Sequence, residues 1–209
     1  PKSDKSRRRL DVVVLAIDIR RSTELMLKAK SPHLFSQFIS KLGKQLAEVV
    51  KVHWGVFDKF TGDGILAFFP KFYSGEDAIL NAISAAIKCH LVFKNLYLES
   101  RSSFNVVLND IGLGIGIDAG KADIVTVGEG LTAVGAPMVY ACRISSAKAG
   151  ETLLNQQAFE MANFRFSEYI NFIETEIDIK HEGKILVHKV FPGKDSPEIS
   201  RPALDRYKI

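Results

Sequence analysis

From Asp11 to Ile19 the chain reads DVVVLAIDI, an apolar run interrupted by one acid, which predicts a strand buried on both faces. The period then lengthens. Leu34, Phe38, Leu42, Leu46 and Val49 recur every three or four positions, predicting helix within Ser22 to Val52, broken and restarted at Ser31-Pro32. Phe57 to Thr61 and Ile65 to Phe69 read as a strand pair joined at Gly62-Asp63-Gly64. A second helix is expected over Glu76 to Tyr97, where Ile79, Ile83, Ile87 and Leu91 share a face and Glu76 and Asp77 suit the positive end of the dipole. From Asn109 to Gly120, Ile111, Leu113, Ile115 and Ile117 alternate with Gly112, Gly114 and Gly116. That is a strand with one bare face, which another part of the molecule must approach closely. Asp123 to Val127 is predicted as a separate strand paired with it, Ala136 to Ala149 as a helix and Glu151 to Leu154 as a strand. Phe164 to Phe191 is expected to form strands around the turn His181-Glu182-Gly183-Lys184. Together these predict an α+β fold with helices on one or both faces of a mixed sheet.

Composition narrows the class. The 209 residues are 46% hydrophobic, enough for one substantial core and too apolar for disorder. The formal charge is +4, and Lys2, Lys5, Arg7, Arg8 and Arg9 against Asp4 account for all of it. The predicted organisation is a basic arm over 1–9, a charge-balanced body over 10–192 and a polar tail over 193–209. A solvated arm rather than a basic face argues against nucleic acid as the main partner. Apolar runs such as Val12 to Ile17 fall far short of the ~18 residues of a membrane span, so a cytoplasmic protein without a membrane partner is expected. Cys89 and Cys142 offer neither a disulfide framework nor a zinc spacing and are expected as small buried hydrophobes. The five histidines show no ligand spacing.

Two carboxylates carry the candidate chemistry. Asp18 ends the first strand and Asp63 sits at a hairpin tip, both places where side chains emerge from rigid scaffold. Side by side they repel unless a cation lies between them, so a divalent metal is the simplest stabiliser. For Asp63 alone, simple turn-building is an equal reading. Ser22-Thr23 is placed to cap the following helix, whose free amides could also hold phosphate oxygens. The segment Gly112 to Lys121 fails the phosphate-loop pattern at Ile115 and Ala122, and its glycines lie within a strand rather than before a helix.

Four runs then stand in a recognisable order: Asp18-Ile-Arg-Arg-Ser-Thr23, Asp58-Lys-Phe-Thr-Gly-Asp-Gly64, Gly114-Ile-Gly-Ile-Asp-Ala-Gly-Lys121 and Val134-Gly-Ala-Pro-Met-Val-Tyr-Ala-Cys-Arg143. From about Leu10 to Phe191 the chain resembles the class III nucleotidyl cyclase catalytic domain. The resemblance implies a ferredoxin-like βαββαβ palm core and a head-to-tail homodimer with active sites at the interface. It implies that Asp18 and Asp63, with the carbonyl of Ile19, hold two Mg²⁺ or Mn²⁺ ions. By the same likeness Lys59 and Thr132 meet the base, Arg143 stabilises the transition state at the α-phosphate, and Lys121 and Lys180, with Ser22 and Thr23, bind the triphosphate.

The departures are specific. Val139 stands where the family has a ribose-orienting Asn, and Asp118 stands where it has a His. Within the family the chain looks most like the stand-alone pyrimidine cyclases of bacterial anti-phage systems. That likeness implies a nucleoside triphosphate substrate, a cyclic UMP or cyclic CMP product and an unidentified activating signal. Period two along the second strand would put Phe57 on one face with Lys59, Thr61 and Asp63, where its ring narrows a base pocket; ordinary core is the equal reading. UTP is preferred slightly over CTP, because a lysine donates to a uracil carbonyl. An adenylate cyclase and an inactive nucleotide-binding homologue are the alternatives.

Overall fold

The computed structural model describes residues 9–128, 130–179 and 182–192. The first strand, β1 (Arg9–Arg20), is followed by two helices, α1 (Ser22–Lys28) and α2 (Pro32–Val52). Their break lies at the predicted place. Ser31 caps α2, accepting from the amide of Leu34 at 3.3 Å, and Pro32 fills the first turn where its missing N–H costs nothing. A hairpin follows, β2 (Val56–Phe60) and β3 (Gly64–Pro70), then a single turn α3 (Lys71–Ser74), the long helix α4 (Ala78–Glu99) and the 16-residue strand β4 (Gly112–Val127). The remaining elements are β5 (Gly130–Val134), α5 (Ala136–Ile144), β6 (Glu151–Leu154), α6 (Gln156–Phe166), β7 (Ile170–Ile179) and β8 (Gly183–Pro192).

The strands form one sheet in the order β2-β3-β1-β4-β6-β8-β7, with β5 folded back on β4. Every pairing is antiparallel except β4 with β6, so the sheet is mixed. Its first half, β1-α-β2-β3-α-β4, is the expected βαββαβ palm.

Alternation along the strands sends side chains to two different interiors. Val13, Leu15, Ile17, Ile65, Phe69, Ile115 and Ile117 face α2 and α4 in the main core. There Phe38 of α2 meets the rings of Phe93 and Phe104 edge-on at 6.1 and 5.5 Å. Each fully buried Leu or Phe here contributes about 2 kcal/mol. The opposite face is thinner. Val12, Val14, Ala16, Leu66 and Phe68 pack with Ala122, Ala133, Met138 and Ala141 beneath α5.

Three expectations change. Asp123 to Val127 continues β4 rather than pairing with it, and β5 supplies the partner through Asp123↔Val134 to Val127↔Gly130. The helix predicted to Ala149 ends at Ile144, where the chain turns through Ser145 and Ser146 toward Gly150 at φ 82°. Helix α6 went unpredicted, and Phe164 and Phe166 belong to it rather than to a strand. Asn155, whose side chain accepts from the amide of Gln156, and buried Ala158 and Ala162 at four-residue spacing are its sequence signals. Cys89 is buried as expected, but Cys142 is exposed on the outer side of α5. The arm before Arg9, the tail after Pro192, Lys180 and His181 lie outside the described residues.

Candidate active site

Asp18 is built into the middle of the sheet between two glycines, Gly64 on β3 and Gly114 on β4. Both are needed for closeness. A Cβ on Gly64 would stand 2.0 Å from the carbonyl oxygen of Ile17, and one on Gly114 would stand 2.5 Å from the carbonyls of Ser145 and Ala147. The bare glycine face of β4 is therefore where the backbone of α5 and its following turn lie, Gly116 being 2.2 Å by the same measure from the Ala141 carbonyl. This seats the C-terminal end of α5 above the position beside Asp18.

The β2–β3 turn brings the second acid. Gly62 takes φ 100°, and the Thr61 amide donates to the Gly64 carbonyl at 3.1 Å, closing the connection that carries Asp63. Chain direction is reset on the other side by Arg21, a non-glycine residue at φ 60°, whose guanidinium donates to Glu24 and to the carbonyl of Asn109. Its strained turn delivers the Ser22 hydroxyl, which donates to Asp63 Oδ2. Ser22 thus opens α1 without capping it; the cap position is Arg21, which makes no capping bond, and Thr23 is exposed.

Burial, and then the facing charge of Asp63, push the Asp18 carboxyl above its ordinary range, while Arg20 pulls it back through a 2.7 Å hydrogen bond. A part-buried carboxylate facing a second acid fits a hard divalent cation. No group of three or more His, Cys, Asp or Glu side chains suited to a metal occurs among the described residues. Asp18, Asp63 and the Ile19 carbonyl are an oxygen-only set leaving most coordination positions for water and substrate, which suits Mg²⁺ or Mn²⁺ rather than zinc.

A second group lies on the same sheet face. Lys59 pairs with Leu66, which pairs with Ala16, so its Cα sits two strands and two residues from Asp18, about 12 Å at ~4.8 Å per strand and ~3.3 Å per residue. Val56 of β2 packs against the layer that holds Met138 and Ala141, which brings α5 toward β2. Arg143, one residue on, pairs with Glu182 and lies 5.5 Å over the ring of Tyr140. Val139, where a ribose-orienting Asn was expected, is 48% exposed on the same helix. Thr132 is buried on β5, which packs on β2. Asp118, in place of the family's His, is buried and accepts from the amide of Ala119 at 2.8 Å, a local backbone role.

Two sequence expectations are corrected by register. A β-bulge falls between Phe57 and Lys59, with Phe57 opposite Ala67 and Lys59 opposite Leu66. The bulge puts Asp58 in the extra position and breaks period two, so Phe57 and Lys59 face opposite sides of the sheet. Phe57 packs on the main core with Phe60 at 5.2 Å; it does not line a base pocket beside Lys59. Lys121 pairs with Asp11, seven positions along β1 from Asp18, about 23 Å at ~3.3 Å per residue, and alternation turns it to the α4 and α6 side. It joins neither group.

Sequence reasoning assigned Asp58 no role, yet this residue is the oddest on β2. Among the described residues, two buried side-chain oxygens lack a hydrogen-bond partner: Asp58 Oδ2 and Thr132 Oγ1. The Asp58 side chain is 3% exposed, and Lys59 Nζ stands 3.8 Å from it, beyond hydrogen-bond reach. Such an oxygen costs about 1–3 kcal/mol, more when charged. The signal for it was the acid itself, set between Phe57 and Lys59 in a short hairpin strand.

The architecture matches known enzymes. The adenylyl cyclase CyaB from P. aeruginosa superposes with a TM-score of 0.78 at 20% identity, covering 91% of this chain and 98% of that one. The guanylyl cyclase Cya2 superposes at 0.76 and 21% identity, over 91% and 96% of the two chains. This is the class III nucleotidyl cyclase fold. The guanylate cyclase domain of RhGC from Catenaria anguillulae, solved in complex with GTP, shares it at a TM-score of 0.68 and 18% identity, over 88% of this chain and 98% of that one. By sequence, a cytidylate cyclase from Escherichia coli is 27% identical over 161 residues, 73% of this chain and 36% of its own length. The chain thus spans about a third of that curated relative. No family model matches it. No helix among the described residues is long and apolar enough to cross a membrane.

Proposed function

We propose that the protein is a metal-dependent nucleotidyl cyclase acting on a pyrimidine nucleoside triphosphate, releasing pyrophosphate and a 3′,5′-cyclic monophosphate. The observation that carries this reading is Asp18, paired between Gly64 and Gly114 and raised by burial and by the facing charge of Asp63, in a cyclase fold. The pyrimidine choice is supported by the likeness to a cytidylate cyclase. A role in anti-phage signalling rests on the family resemblance alone.

Asp18, Asp63 and the Ile19 carbonyl would hold the two ions, which supply a lowered pKa for the attacking ribose 3′-hydroxyl and neutralise charge on the phosphates. Ser22 fixes the Asp63 carboxylate through its hydroxyl. Arg143 carries a guanidinium on the rigid last turn of α5, suited to the oxygens of the α-phosphate as charge builds there. In the resting state Glu182 is its partner, so the triphosphate takes the arginine by exchange of one anion for another. Lys59, on the same face as Asp18, reaches toward the base. Lys180 keeps its proposed triphosphate role from the resemblance. In a head-to-tail homodimer the acids of one protomer face Lys59, Thr132 and Arg143 of its partner, completing two sites.

The test is direct. Incubating the protein with each of the four nucleoside triphosphates and Mn²⁺ should yield a cyclic pyrimidine nucleotide by mass spectrometry, absent with Asp18→Ala. Cyclic AMP as the main product would replace the pyrimidine reading with an adenylate cyclase. Tight nucleotide binding with no product from any of the four would make the protein a binding homologue.

A further inference from the structure

Asp58 has no part in the metal corner, no hydrogen-bond partner at Oδ2 and no role assigned by the resemblance, yet the fold keeps its side chain buried. It is the extra residue of the bulge, and the bulge is what separates Phe57, anchored in the core, from Lys59, on the α5 face. Thr132 Oγ1, on the strand packed against β2, is likewise buried and unpaired. The acid and the lysine stand 3.8 Å apart, and Val56 at the start of the same strand packs against the layer that holds Met138 and Ala141 of α5. Two buried oxygens without hydrogen-bond partners, on strands that pack together and beside an exposed lysine, are acceptors whose remaining donor a ligand can supply.

We infer that Asp58 is a specificity-determining residue of the base pocket, accepting a hydrogen bond from the exocyclic amine of cytosine and so selecting CTP over UTP. This rests on the cyclase reading and names its substrate. The chemistry is one of complementary donors and acceptors. A carboxylate accepts and does not donate, so it matches the 4-amino group of cytosine and opposes the 4-carbonyl of uracil. Lys59 donates three hydrogens and serves the 2-carbonyl present in both bases, and therefore cannot tell them apart. The Thr132 hydroxyl both donates and accepts and completes the edge. The choice between the two pyrimidines thus passes from Lys59, which favoured UTP in the sequence, to its neighbour. A site built around a buried acceptor rejects the analogue that lacks the donor, because the acceptor is then left unpaired.

The experiment compares CTP and UTP on the wild-type protein and on Asp58→Asn, an isosteric change whose amide presents a donor. Wild-type kcat/KM is expected to favour CTP by about tenfold or more, and Asp58→Asn to lower the CTP-to-UTP ratio by about tenfold or more. A wild-type preference for UTP overturns the inference without recourse to any variant. A ratio unmoved by Asp58→Asn in folded protein, as judged by circular dichroism, overturns it too. Calorimetric binding of CTP and of UTP in the presence of Mn²⁺ reads the same ratio without turnover. If no nucleotide yields a cyclic product, the cyclase reading fails, and a CTP-to-UTP binding ratio that falls with Asp58→Asn still supports Asp58 as the reader of the amine.

Discussion

The corner around Asp18 and the corner around Asp58 are both uncomfortable, and for different reasons. Asp18 has its hydrogen bond, from Arg20, and suffers from burial and then from like charge nearby. Asp58 suffers the opposite, an oxygen with no donor within reach. The first discomfort is relieved by a small dense cation and the second by a directional N–H. The pair teaches that two acids on one sheet face can ask for different ligands, and that the missing interaction, rather than the residue type, tells which.

The largest expected effect breaks the metal corner. Asp63→Asn should lower cyclase activity by about a thousandfold and abolish Mn²⁺ binding by calorimetry, while raising the melting temperature of the metal-free protein by a few degrees, because the repulsion on Asp18 is gone. A variant that loses activity and also melts lower would deny that the two acids are in conflict. Next, Arg143→Ala should cost about a hundredfold in kcat with little change in the CTP-to-UTP ratio, since the guanidinium acts at phosphate and not at the base. A ratio that moves with Arg143 would merge the two corners into one.

A third effect concerns stability and leaves both corners untouched. His90, whose Nε2 lies 2.9 Å from Thr152 Oγ1, is pushed down by burial from 6.5 to about 4. The folded protein excludes a proton that the unfolded chain takes up below pH 6.5. Stability present above that pH is therefore lost as pH falls toward 4, by about 3 kcal/mol at most. Urea unfolding at pH 7 and pH 4.5 should show the loss, and His90→Gln should flatten the slope. The smallest effect is Phe57→Leu, expected to destabilise by about 1 kcal/mol through its contact with Phe60 and to leave nucleotide choice unchanged. A changed nucleotide preference would return Phe57 to the base pocket.

Much of this fold was legible in the apolar pattern, because β1 holds one continuous apolar run and α2 has a single helical period with a proline at its start. The glycine alternation of β4 announced a close approach, and only the folded chain shows that α5 makes it. What escaped was governed by register. Phe57 and Lys59 differ by two, and alternation gives them one face unless a bulge intervenes; nothing in Phe-Asp-Lys shows that the ladder slips there. Lys121 was assigned to the triphosphate by the family likeness, and the register of β4 sets it opposite Asp11, seven positions along β1 from Asp18. The acids were easier, being fixed by a strand end and a tight turn.

The bulge in β2 also separates two kinds of change. Phe57 and Phe60 tie the strand to the core on one side while Lys59 faces the other, so on the proposed reading substitutions at 58 and 59 alter what is bound without removing that anchor. Removing the inserted residue is another matter: with the ladder in step, the lysine and the phenylalanine would compete for the same side. Diversification of such a domain toward other bases should therefore proceed by exchanging residues at the bulge and keep its length fixed.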